Sequence, residues 1–229
     1  MKLALTGVTL MDKKILASML VIGVVSILLG AGTIAYFSDT ETNSGNVFQT
    51  GTGPDLQIKD GGYYWSDGIG AVWTLLDMKP GHSVYGSIDL RNVGSPADHL
   101  EITCDYTIDD PPGPESDTEE HTPADHMAKQ MIITLCDYYD DTWLINCLTG
   151  TYSGSPPTPS GYTESDWKVD DVDDDGKITL YDLKNNPLDN LPPPVWITHF
   201  DMTLKFSEDA GNDFQGDTLD LTMIFTLNQ

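Results

Sequence analysis

The feature that most constrains this fold is a hydrophobic period of two. Residues 83–90 place Val84, Gly86, Ile88 and Leu90 on one face, and residues 100–108 do the same with Ile102, Cys104, Tyr106 and Ile108. Residues 196–206 alternate through Trp196, Thr198, Phe200, Met202, Leu204 and Phe206, and the C-terminal run through Leu219, Leu221, Met223, Phe225 and Leu227. Successive side chains of a strand point to opposite faces, so these runs read as strands with one face buried and the other wet. Residues 56–58 alternate more briefly, 71–76 are apolar with β-branched members, and 131–135 are continuously apolar; each reads as a further strand. Pro80-Gly81 and Gly94-Ser95-Pro96 punctuate the runs as turns. No long helical pattern occurs, and residues 124–130 supply one or two turns at most. The expected fold is all-β, an antiparallel jelly roll or β-sandwich.

Two segments break the alternation. Residues 109–125 are rich in proline and acids and read as an exposed loop, and 150–162 are rich in Gly, Ser, Thr and Pro and read as a flexible connector. Leu191-Pro192-Pro193-Pro194 stiffens the return to the sheet. Residues 110–194 are therefore expected to form an acidic insertion, or a decorated connection, between the halves of the sandwich. At the N-terminus, Lys13-Lys14 precede an uncharged apolar block that small residues close. This is the layout of a secretory signal peptide, with Thr33 and Ala35 suited to the positions before a cleavage point. The block, about 18 residues long, is at the lower limit for a membrane span. The next charges are Asp39 and Glu41, not the basic flank of an anchor. Met11-Asp12-Lys13-Lys14 would itself be an ordinary beginning, so residues 1–10 read as an over-extended start. The expected division is a signal peptide over 1–35 and one extracellular domain over 36–229, with no membrane attachment once the leader is gone.

Charge narrows the partners. The chain holds 36 acidic and 11 basic residues, a net −25; without residues 1–35 it keeps 35 acids against 8 bases. Such a surface repels nucleic acid and anionic lipid, and it attracts divalent cations. Three cysteines, Cys104, Cys136 and Cys147, allow one disulfide with a thiol left over, or three small buried hydrophobes. None stands in a Cys-x-x-Cys pair, which argues against a zinc site.

One metal motif is specific. Asp171-Val172-Asp173-Asp174-Asp175-Gly176-Lys177-Ile178-Thr179-Leu180-Tyr181-Asp182 matches the twelve-position calcium loop of EF-hands and dockerins. Asp171, Asp173, Asp175 and Asp182 stand at the acidic positions, Gly176 at the sharp turn and Ile178 at the packing position. The carbonyl of Lys177 and the hydroxyl of Thr179 complete the expected oxygen shell for Ca²⁺. Position twelve is Asp rather than the usual bidentate Glu, and no good helix precedes the loop, although residues 180–184 can form a short one before Asn185-Asn186-Pro187. A single copy reads as a structural calcium staple, not a switching sensor.

Catalytic patterns are missing from the sequence. The histidines are His82, His99, His121, His126 and His199, and none forms a His-Glu-x-x-His. No Gly-x-Ser-x-Gly elbow occurs, and Gly68-Ile69-Gly70 lacks the further Gly and Lys of a phosphate loop. The expectation is a protein that is not an enzyme.

The segment Gly30-Ala31-Gly32-Thr33-Ile34-Ala35-Tyr36-Phe37-Ser38-Asp39-Thr40-Glu41 resembles the signal exit of the TasA/camelysin family of secreted fibre proteins, which a SipW-type signal peptidase processes. Asn46-Val47-Phe48-Gln49-Thr50-Gly51-Thr52 with Asp55-Leu56 is similar too. So are Met78-Lys79-Pro80-Gly81, Ile88-Asp89-Leu90-Arg91-Asn92-Val93-Gly94, and the closing run from Phe214-Gln215-Gly216-Asp217 onward. The calcium loop, the long acidic insertion and the cysteines depart from the bacterial pattern and look more like an archaeal member. The resemblance implies a jelly roll that polymerises head to tail with itself into filaments of a biofilm matrix or bundling pilus, alongside other matrix or surface proteins. Assembly would be by donor-strand complementation, with residues 36–50 as the donor and Tyr36, Phe37, Val47 and Phe48 as its assembly residues. Two alternatives are a monomeric adhesin or carbohydrate-binding sandwich, for which Tyr63-Tyr64-Trp65 could stack on sugars, and a camelysin-like metalloprotease.

Overall fold

The computed structural model describes residues 39–42 (backbone alone), 53–75, 78–109, 124–154, 167–211, 214 and 217–229. All of them belong to one compact unit, Phe37–Gln229. The expected signal peptide, the residues Tyr36, Phe37, Val47 and Phe48, and most of the two Pro-rich loops lie outside the described residues.

The described chain forms β1 (Asp39–Thr42), β2 (Leu56–Lys59), β3 (Ser83–Asn92), β4 (His99–Asp109), α1 (Ala124–Gln130), β5 (Met131–Tyr139), β6 (Trp143–Asn146), β7 (Thr151–Gly154), α2 (Leu180–Asn185), β8 (Leu188–Leu191), β9 (Thr198–Phe206) and β10 (Thr218–Asn228). They assemble into two antiparallel sheets, one ordered β1-β10-β4-β8 and the other β2-β3-β9-β5-β6-β7. The fold is the all-β sandwich that the alternation predicts.

The alternation decides which face turns inward. Along β9, Thr198, Phe200, Met202, Leu204 and Phe206 are buried, and the residues between them are half-exposed. On β10, Met223, Phe225 and Leu227 are buried beneath the opposite sheet. Phe200 and Phe225 meet across the sandwich edge-to-face, with ring centroids 5.5 Å apart. Such a pair adds about 1 kcal/mol beyond its area burial.

The continuous apolar run at 131–135 becomes β5 by way of a bulge. Its register with β9 shifts between Ile133 and Leu135, leaving Thr134 exposed. The extra residue changes the phase, so Met131 and Ile133 before it and Cys136 and Tyr138 after it all face the core.

Several expectations differ from the structure, and the connector expected over 150–162 begins as β7, paired with β6. Residues 71–75 are not a strand. The segment instead lays Trp73 over Gly86 of β3, where an added Cβ would come within 2.6 Å of the indole, and anchors it through Nε1–H to the Met202 carbonyl at 2.8 Å. Trp196 is not on the buried face, because strand pairing begins at Thr198 opposite Leu90; it stands 81% exposed after prolines that have no N–H for a ladder. Segment 110–194 is no appendage set between two halves, since its β5 lies between β9 and β6 and its β8 pairs with β4.

Candidate functional site

The acidic loop is built by its own side chains. Asp171 accepts the N–H of Asp175 on Oδ1 at 3.1 Å and that of Gly176 on Oδ2 at 2.7 Å, while Asp175 Oδ1 accepts the N–H of Lys177 at 2.8 Å. Gly176 sits at φ 83°, where glycine is at ease. The resulting turn draws one carboxylate oxygen from each of Asp171, Asp173 and Asp175 to within 4.8 Å of the others. Among the described residues this is the group of three or more His, Cys, Asp or Glu side chains close enough to share an ion, and all its donors are hard oxygens. That donor set fits Ca²⁺, which takes six to eight oxygens, better than Zn²⁺, which takes nitrogen and sulfur.

A cation already stands at the loop. Lys129, at the end of α1, places Nζ 2.8 Å from Asp173 Oδ2 and 4.2 Å from the centre of the Tyr181 ring. Its hydrogen bond is the main cause that holds the Asp173 carboxyl below the ordinary carboxylate range.

Asp182 does something other than close the shell. It is fully buried: Oδ1 accepts the N–H of Val172 at 2.9 Å, and Oδ2 accepts the N–H and the hydroxyl of Thr179 at 2.8 and 2.7 Å. Thr179 is the N-cap of α2 and Asp182 its third residue, so the carboxylate reaches back in the manner of a capping box. The structure thus gathers Asp171, Asp173 and Asp175 and uses Thr179 and Asp182 to tie the loop's ends together, while the Lys177 side chain directs Nζ toward Asp209 at 3.9 Å.

The loop is fastened to the sandwich on both sides. Ile133 of β5 donates its N–H to the Ile178 carbonyl at 2.7 Å, beside a bridge between Ile132 and Thr179. Calcium loops that work in pairs find this strand partner in a second loop; here β5 supplies it. On the other side Val169 donates to the Cys147 carbonyl at 2.9 Å, and buried Trp167 donates Nε1–H to the Asn190 carbonyl at 2.8 Å.

A second feature lies along β10. On one side the strand pairs with β4 over its whole length, Thr218 opposite Asp109 to Asn228 opposite His99. On the other side β1 pairs with residues 224–227, Thr42 opposite Ile224 and Asp39 opposite Leu227. Nearer the start of β10, the inward residues Leu219 and Leu221 are half-buried rather than buried. They line a pocket of about 650 Å³ with Trp73, Met78, Leu204 and Phe206, and with the charged Lys79 and Asp217. Sequence reasoning gave Leu204, Phe206, Leu219 and Leu221 a face but did not find the pocket, which Trp73 and Met78 complete from outside the strands.

The outer face of the larger sheet carries polar pairs with no sequence signature. Asp89 contacts Lys59 Nζ at 2.9 Å and His199 Nδ1 at 2.7 Å, and Asp201 Oδ2 accepts from the Tyr85 and Tyr139 hydroxyls at 2.7 and 3.1 Å. Tyr63 and Tyr64 are 98% and 87% exposed, whereas Trp65 lies against Lys59 and Arg91.

Residues 10–139, more than half of the chain, match the family described as camelysin metallo-endopeptidase. The matched span ends with β5 and so leaves out the acidic loop. No curated protein matches the chain.

Proposed function

The chain belongs to the camelysin/TasA family, whose members are secreted or cell-surface proteins, and on that premise we propose that it is an exported structural subunit that polymerises into extracellular filaments. Assembly is by donor-strand complementation. The observation that carries this reading is the edge of β10: β1, the described part of the expected donor segment, pairs there with Ile224 to Leu227 of its own chain, and Leu219 and Leu221 of the same strand line a cavity of about 650 Å³. A sheet edge next to an apolar groove is a template for an incoming strand. A donor segment from a neighbouring subunit, paired in the register of β1, brings its Val47 opposite Leu219, over the pocket. A slip of one residue would turn its Phe48 in instead. Burying either anchor favours association by about 1.5–3 kcal/mol. A contact that joins the start of one subunit to the edge of the next does not close, and so propagates a filament.

Asp171, Asp173 and Asp175 are the ligands proposed for Ca²⁺, which would neutralise their mutual repulsion and rigidify the connection between β7 and α2. Lys129 performs part of that neutralisation from the protein itself. The oxygen-only donor set supports a structural ion and lends no support to the zinc hydrolysis that the family's description suggests.

Electron microscopy of the purified protein tests assembly: filaments are expected, and their loss on deleting residues 36–48. Filaments that persist after this deletion overturn donor-strand assembly. Cleavage of casein that stops on adding a chelator would instead establish a protease. One observation favours a second reading, a surface adhesin that binds carbohydrate: Tyr63, Tyr64 and Trp196 are at least 81% exposed and could stack on sugar rings.

A further inference from the structure

Two of the three cysteines face each other. Asp137 of β5 is opposite Asn146 of β6, so the next positions along the ladder are Cys136 and Cys147. Cys147 donates its N–H to the Cys136 carbonyl at 2.7 Å, which continues the pairing by one step. Both side chains are fully buried as free thiols, and the Cys147 thiol donates to the Ile145 carbonyl at 3.9 Å. Directly opposed residues in an antiparallel hydrogen-bonded pair have Cα atoms about 5.5 Å apart, within the span a disulfide bridges. Cys104 is elsewhere: it lies on β4 in the other sheet, with Sγ 3.5 Å from the Leu180 carbonyl under α2.

We infer that Cys136 and Cys147 form an intrachain disulfide in the exported protein, with Cys104 left as a buried thiol. The inference rests on the export part of the proposed function, since such bonds persist in oxidising surroundings. The oxidant is a small-molecule or protein disulfide. One thiolate attacks a sulfur of that disulfide and releases one thiol; the second thiolate then attacks the mixed disulfide, closes the Cys136–Cys147 bond and releases the other. Two electrons and two protons leave the protein with the reduced carrier. The bond forms before the sheet closes, because the folded core keeps both sulfurs from any oxidant and holds the Cys147 thiol protonated through its contact with Cys136 and its burial. Once made, it fastens the β5–β6 hairpin at the residue whose carbonyl holds Val169, the base of the acidic loop.

The test refolds the full chain from urea in a mixture of reduced and oxidised glutathione, then alkylates it under denaturing conditions. Peptide mass spectrometry is expected to find one alkylated cysteine, Cys104, and a cross-linked peptide joining Cys136 to Cys147. The link is expected to survive Cys104→Ala and to vanish in Cys136→Ser and in Cys147→Ser. Three alkylated cysteines, a link to Cys104, or a stable glutathione adduct on either paired residue overturns the inference. The same analysis of cell and medium fractions separates it from export: a refolded chain that carries the link but stays in the cells refutes export alone, and an exported chain with three thiols refutes the disulfide alone.

Discussion

Replacing Asp182 by alanine should destabilise the protein whether or not calcium is present. The carboxylate receives three hydrogen bonds, two from backbone N–H groups and one from the Thr179 hydroxyl. Val172 is 42% exposed, so its amide can regain water, but Thr179 is 1% exposed and its N–H cannot. A buried donor left without a partner costs about 1–3 kcal/mol, and loss of a helix cap about 1 kcal/mol. The sum is about 2–4 kcal/mol, a large share of the roughly 5–15 kcal/mol that holds a domain folded. For a domain of this size that lowers Tm by about 4–16 °C. Urea denaturation in the presence of a chelator measures it, with a lower midpoint and an unchanged slope expected. If Asp182 acted only as a calcium ligand, the variant would match the parent in chelator and differ only with calcium added. An unchanged midpoint in chelator would refute the capping assignment.

Further outcomes follow from other parts of the structure. Leu221→Asp should abolish filaments seen by electron microscopy while the circular dichroism stays that of a β-sandwich, because the pocket beside β10 would receive a charge. Calcium titration followed by thermal melting should raise Tm in the parent and not in Asp171→Ala combined with Asp175→Ala; identical responses would reject the loop as the site. Lys129→Met should strengthen that calcium response, because it frees Asp173 of its partner. It should also remove stability that the depressed Asp173 pKa contributes above the unfolded value and loses as pH falls through the folded one, as read by melts across the acid range. Asp137 is the opposite case: burial raises its carboxyl above the ordinary value, so its charge weakens the fold once pH exceeds the folded pKa. Asp137→Asn should therefore raise the midpoint at neutral pH and leave it unchanged in strong acid. Gly86→Ala should lower stability by about 1–3 kcal/mol and alter tryptophan fluorescence, since the new methyl meets the Trp73 ring.

Much of the site was legible as local chemistry. The spacing of Asp171, Asp175 and Gly176 is enough to fold the turn, because both carboxylates find a loop amide two to five residues on. For Asp182 the sequence spacing shows reach but not competition. Its carboxylate lies as near to the cap of α2 as to the loop, and two backbone donors take it. Lys129 was invisible for another reason: it is more than forty residues from Asp173 in sequence, and only the packing of α1 beside α2 brings it in.

What the sequence by itself determined is which side of the alternating strands is buried, where turns separate them, and the sign of the surface charge. Alternation of period two, glycine at the sharp turn and an excess of acids act within a few residues and need no knowledge of the rest. Only the tertiary structure decided the partners: β5 between β9 and β6, β1 along Ile224 to Leu227 of β10, Cys136 beside Cys147, and Trp196 turned outward. Those outcomes depend on pairings between distant residues, such as His199 with Asp89 across 110 positions. A strand pattern fixes a face, but its neighbours are set by the packing of both sheets at once.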